Sequence, residues 1–261
     1  MTHIRQNSAH AIFLVTVCTA LVGGTGFAEA HDIWLTADKI GDQYTAQVDF
    51  GELEARENAD FGKIVSLDLV TPGGSTDLRH PLTAGELNGK PVLTTRPFSA
   101  PVGSVLAVSY DNGFWMQLGK DKNETNTSKL MVPDGASPHW TVKFSKLLLG
   151  PGSFNRVLGM RLEIVPLKDP YTLSPGAKLP VRLLLSGKPY AWADIAYTDG
   201  LMPLPDARQP TVKTNSDGVA EIPVARTGPV LLTTDLHTTP LHSALADVDH
   251  IFASLTYDTL K

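Results

Sequence analysis

The residues of this chain that could do chemistry gather near its two ends. Ala28 and Ala30 flank Glu29 in the A-x-A pattern that signal peptidase reads, which predicts cleavage after Ala30 and leaves His31 as the first residue. A histidine in that position offers its α-amine and its imidazole Nδ1 to one metal ion, a chelate that no internal histidine can make. Near the other end, His237-Thr238-Thr239-Pro240-Leu241-His242 is followed by Asp247-Val248-Asp249-His250. Imidazoles mixed with carboxylates, with no sulfur among them, suit nickel, copper, cobalt or zinc. The candidate metal ligands are therefore His31, His237, His242, His250 and Asp249. Their spacing is not a helical i,i+4 pair, so strands and the loop joining them must bring them together.

Each internal histidine also has a structural reading, in which His237 ends a strand and bonds a carbonyl while His242 and His250 face solvent in a loop. His80 and His139 each lie beside a proline and are expected at the surface. Trp34, Trp115, Trp140 and Trp192 sit in strand-like patterns and are expected to fill cores, an aromatic ligand platform being the alternative. Glu52, Glu54, Glu57 and Asp60 form an acidic loop that is either a solvated connection or an attractor of cations. No G-x-S-x-G elbow, H-E-x-x-H helix or phosphate-binding glycine loop occurs. Hydrolase and nucleotide chemistry have no support, and the chain is expected not to be an enzyme.

Residues 1–30 read as a signal peptide: Arg5 in a short polar start, an apolar run over 11–22, then small residues up to the cut. The run is too short for an ordinary membrane-spanning helix. A periplasmic or secreted location follows as the expectation. The single cysteine, Cys18, lies inside this leader, so cleavage removes disulfides, thiolate ligands and cysteine nucleophiles together. A lipoprotein anchor at Cys18 would need a small residue before it, and Val17 stands there. The net charge of −5 and a pI near 5.9 argue against nucleic acid as a partner.

The elements that must position these residues read as strands. Short apolar alternations separated by Gly, Pro, Asn and Asp, with no long helical period, predict an all-β protein. Strands are expected over 31–35, 43–50, 64–70, 91–96, 104–110, 139–148 and 158–165. Asp111-Asn112-Gly113 before Phe114-Trp115-Met116 reads as a hairpin turn, and the polar stretch 119–129 as a loop. Pro166-Leu167-Lys168-Asp169-Pro170 breaks the pattern and suggests a division into an N-terminal β-sandwich domain over 31–166 and a C-terminal one over 167–261. The second part repeats strand and turn over 178–185, 190–197, 211–214, 219–224, 229–237 and 250–257, around a proline-rich loop at 202–210. That rhythm predicts an immunoglobulin-like β-sandwich without the cysteine framework.

Several blocks carry a likeness to a known family: His31-Asp32-Ile33-Trp34-Leu35, Lys146-Leu147-Leu148, Leu162-Glu163-Ile164-Val165-Pro166, Asp169-Pro170-Tyr171, Leu183-Leu184-Leu185-Ser186-Gly187-Lys188-Pro189 and Phe252-Ala253-Ser254-Leu255-Thr256-Tyr257. Together they resemble an exported family of unknown function related to the periplasmic component of nickel and cobalt uptake systems. The resemblance spans nearly the whole chain after residue 30 and implies a β-rich exported protein that binds or delivers a divalent metal. His31 matches the family's initial histidine, and His237 the histidine that commonly ends the penultimate strand. The family's Gly-His after the second strand is missing, since Phe50-Gly51-Glu52 stands there.

The expected function is a periplasmic nickel, cobalt or copper binding protein that serves a membrane metal-uptake transporter. Its site would join the N-terminal chelate of His31 to His237, with His242, His250 or Asp249 completing the shell. The alternatives are a non-catalytic β-sandwich module for carbohydrate or protein, and a copper-dependent oxidative enzyme built on the same two histidines.

Overall fold

The computed structural model describes residues 31–260 apart from 81, 88, 153 and 199–208. The expected leader and most of the proline-rich loop at 202–210 lie outside these residues. In chain order the strands are β1 (Asp32–Ile40), β2 (Gln43–Gly51), β3 (Arg56–Glu57), β4 (Ile64–Thr71), β5 (Gly74–Asp77), β6 (Thr83–Leu87), β7 (Lys90–Thr94), β8 (Phe98–Ser99), β9 (Val105–Leu118) and β10 (Asn123–Asn126). They continue with β11 (Ala136–Leu148), β12 (Leu162–Pro166), β13 (Lys178–Leu185), β14 (Lys188–Pro189), β15 (Asp194–Tyr197), β16 (Thr211–Lys213), β17 (Val219–Pro223), β18 (Pro229–Thr238) and β19 (Val248–Asp258). Helix among the described residues is limited to two short 3-10 turns, Phe61–Lys63 and Pro170–Thr172. No helix among them is long and apolar enough to cross a membrane.

Alternation along each strand decides how the sheets stack. The largest sheet runs β16-β15-β18-β19-β11-β9-β4-β5, with β10 paired to β9. On one face lies the sheet β1-β2-β7-β6; on the other lies the sheet formed by β12, β13, β14 and β17. Ile33, Leu35, Ala46 and Val48 meet Leu67, Leu106 and Val108 to fill the first interface. Ile164, Leu179, Val181, Leu183 and Ile222 meet Leu232, Ile251, Ala253 and Leu255 to fill the second. The protein is thus all-β, with two sandwiches sharing the large sheet as their middle layer. The parallel pair β11 and β19 lies at the centre, joining strands about a hundred residues apart in sequence. Strand β11 serves both cores, with Leu147 in one and Val142 and Leu148 in the other.

Local chemistry explains where the sequence signals mislead. The Asn112-Gly113 pair makes no hairpin: β9 runs straight through it, and a β-bulge leaves Asn112 without a partner on β11. Gly113 supplies the left-handed φ of +86° that the bulge requires, the same conformation a tight turn would use. The reversal comes at 119–122, and part of the expected 119–129 loop is β10, paired against β9. The acidic loop after β2 likewise contains the short β3, paired with β2. The strand expected from 158 starts at Leu162, because the preceding backbone at Leu158 and Gly159 donates to the Glu163 carboxylate instead of to a neighbouring strand. Trp34 is fully buried as expected, whereas Trp192 is 67% exposed and sits at a left-handed φ of +65° in the turn before β15.

Candidate metal centre

Side chains on a strand alternate between faces, so the pairing registers sort the candidate ligands. In the antiparallel pair β18 and β19, His237 lies directly opposite His250. Their rings are 4.1 Å apart, centroid to centroid, and inclined by 33°. Asp235, two residues before His237 and therefore on the same face, places Oδ2 2.8 Å from His250 Nε2. The parallel pairing of β11 with β19 adds His139, whose ring is 6.4 Å from that of His250. Three imidazoles and a carboxylate thus occupy one end of one face of the middle sheet.

The charge states follow from the surroundings. Burial pushes the His250 imidazole below its ordinary value and outweighs the hydrogen bond to Asp235, while His237 and Lys143 push the same way. The His250 hydrogen bond holds the Asp235 carboxyl below the usual carboxylate range. A neutral His250 donates Nε2–H to that carboxylate and keeps the Nδ1 lone pair, the arrangement in which carboxylates orient metal-binding imidazoles. Two residues along β19, the Phe252 ring lies 4.1 Å from the His250 ring, inclined to it by 42°. Lys143 Nζ lies 3.8 Å from the Phe252 centroid. This lysine is almost completely buried, and desolvation lowers its pKa to about 8 against the opposing pull of Asp32 and Asp235.

The start of β1 arrives at the same place. Strand β1 is an edge of its sheet, bonded along one side to β2. Along its other side no strand among the described residues pairs; side chains of the middle sheet supply the donors. Lys143 Nζ donates to the His31 carbonyl, Ser254 Oγ to the Ile33 carbonyl and Thr256 Oγ1 to the Leu35 carbonyl. This ladder blunts an edge that would otherwise present open carbonyls and fixes where His31 sits. The His31 ring stands edge-on to Phe50 at 5.5 Å, with Nδ1 3.4 Å from Glu57 Oε2.

Two sequence candidates lie elsewhere. Asp249 adjoins His250 and so points through the opposite face, where it is fully buried. There it pairs with Arg161 at 2.6 Å and accepts from the Leu241 amide at 2.8 Å. His242 packs edge-on against Trp140 at 4.7 Å and Phe114 at 6.0 Å. Conversely, Asp235, His139 and Lys143 belong to the cluster, although the sequence singles out neither Asp235 nor Lys143 and its prolines suggest only a surface position for His139. The period-2 relation of Asp235 to His237 was visible in the sequence; the neighbours on β11 depend on a parallel pairing that was not. The donor set is imidazole and carboxylate, which fits a borderline transition metal. Among the described residues, no three His, Cys, Asp or Glu side chains stand at metal-holding distance.

Comparison with known proteins adds a family and little else. No curated protein matches the sequence. Among solved structures, a chimeric titin Z1Z2-Z1Z2 tandem functionalized with a GRGDS peptide from fibronectin is 10% identical, covering 85% of this chain and 96% of that one, with a TM-score of 0.17. The family model for DUF4198, a domain of unknown function, matches residues 28–238, which takes in His31, Lys143, Asp235 and His237 and stops short of His242 and His250. The chain belongs to the DUF4198 family.

Proposed function

We propose that this protein is a non-catalytic periplasmic carrier of a divalent transition metal, nickel, cobalt or copper, and that it hands this cargo to a membrane uptake transporter. What supports the reading is the pairing of His237 with His250, oriented by Asp235, on the sheet face that receives His31. In this reading His237 and His250 supply imidazole donors, and His31 supplies amine and imidazole once the chain begins there. Metal binding draws the His31 ring away from Glu57. Asp249 and His242 take structural roles, in the ion pair with Arg161 and the packing on Trp140 respectively. The resemblance that the sequence blocks bear to nickel and cobalt uptake components, which the DUF4198 match itself does not address, points the same way. Calorimetric titration with Ni²⁺, Co²⁺ and Cu²⁺ tests it, using a chain that begins at His31 beside one carrying an extra N-terminal residue. The first binds at least about tenfold more tightly if the terminal chelate operates; equal binding removes His31 from the site.

A second reading, a module for carbohydrate, is favoured by one observation. An open groove of about 630 Å³ lies over the middle sheet where the smaller sheet does not cover it, with Ser66, Asp68 and Ser109 on its floor and Phe144 and Arg156 beside them. Trp192, although exposed, is not among the groove residues.

A further inference from the structure

Lys143 is the residue in which the two halves of the proposed site meet. Its backbone belongs to β11 in the middle sheet, one face position beyond Thr141 and two beyond His139. Its ammonium donates to the carbonyl of His31 on the opposing sheet. Between these ends the side chain lies against Phe252, whose ring in turn lies against that of His250, and within reach of the Phe50 ring at 5.8 Å, against which His31 rests.

From this arrangement we infer that Lys143 is a positioning residue, holding the His31 peptide so that the terminal amine and imidazole face His237 and His250. The inference rests on the metal-binding reading above and deepens it by naming what assembles the site. A cation beside a bound metal ion works against binding, so the charges around it decide the balance. Asp32 and Asp235 act on Lys143 through their charge, with Lys63 as a further cation, and Glu57 lies beside His31. Three carboxylates against two ammonium groups leave the region negative before any metal enters. The lysine therefore fixes geometry without making the site cationic.

The test uses the chain beginning at His31, titrated with cupric ion and followed by visible absorption and electron paramagnetic resonance. Lys143→Met, confirmed as folded by circular dichroism, is expected to bind copper about 10- to 100-fold more weakly. Its spectrum should resemble that of the chain with one extra N-terminal residue, because the amine donor is lost while the imidazoles of His237 and His250 remain. Lys143→Arg, which keeps a long donor, should keep the parent spectrum; if Lys143→Met does not fold, Lys143→Gln, whose amide is too short to reach the His31 carbonyl, takes its place with the same expected loss and the same overturning result. A Lys143→Met protein with unchanged spectrum and affinity overturns the positioning role. Absence of copper binding by the parent chain overturns the metal reading itself, so the two failures are distinguishable.

Discussion

Strand β11 carries two buried lysines on its two faces, and they have opposite fates. Lys146 points toward the smaller C-terminal sheet, where Glu163 meets it at 2.9 Å and both side chains are almost wholly enclosed. Glu163 also accepts from the amides of Leu158 and Gly159, so its lone pairs are used and the ion pair is a closed unit. Lys143 points toward the N-terminal sheet and meets a peptide carbonyl and the faces of Phe252 and Phe50. Its carboxylate neighbours act on it from a distance, and one of them, Asp235, is bonded to His250. A matched buried pair holds layers together; a buried cation without a matched contact, beside paired imidazoles at a half-open edge, marks a place where the fold leaves charge to be used.

That contrast can be broken most forcefully at Glu163. Replacing it with Ala leaves Lys146 buried and unpaired, and is expected to cost about 3–5 kcal/mol of stability by denaturant unfolding. Lys143→Met removes a desolvated charge together with one hydrogen bond, so the two effects oppose and the same measurement should register a loss of about 1 kcal/mol or less. Equal losses would mean that both lysines are structural ties of one kind. Smaller than the first effect, and confined to the N-terminal interface, is the loss of the β1 ladder. Ser254→Ala and Thr256→Val should each cost about 1–3 kcal/mol, because each leaves a buried carbonyl without its donor. Hydrogen exchange should then rise along β1 and not along β13.

Much of the fold could be read in advance, for a reason visible in particular strands. Along 178–185 the predicted bounds coincide with β13, because Leu179, Val181 and Leu183 are buried in alternation along most of its length. Along 104–118 the reading failed because Asn-Gly signals a left-handed backbone, and a bulge inside a long strand uses that conformation as well as a hairpin does. The stacking around a shared middle sheet depends on β11 pairing in parallel with β19, a contact between segments far apart in sequence that no local pattern encodes. The same pairing hid most of the candidate site. His237 and His250 stood out as residue types, but their partners His139, Lys143 and Asp235 acquire meaning only from register. Alternation alone would have separated Asp249 from His250, since adjacent strand residues face opposite ways.

The central claim is that the face carrying His237 and His250, and not the face carrying Asp249 or the packing site of His242, holds a metal ion. Its most direct test is calorimetric titration with Cu²⁺ of three chains beginning at His31: the parent, the double variant His237→Ala with His250→Ala, and His242→Ala. The account predicts one ion per parent chain, the same for His242→Ala, and binding at least about 100-fold weaker in the double variant. Copper held equally well after both imidazoles are removed would contradict it.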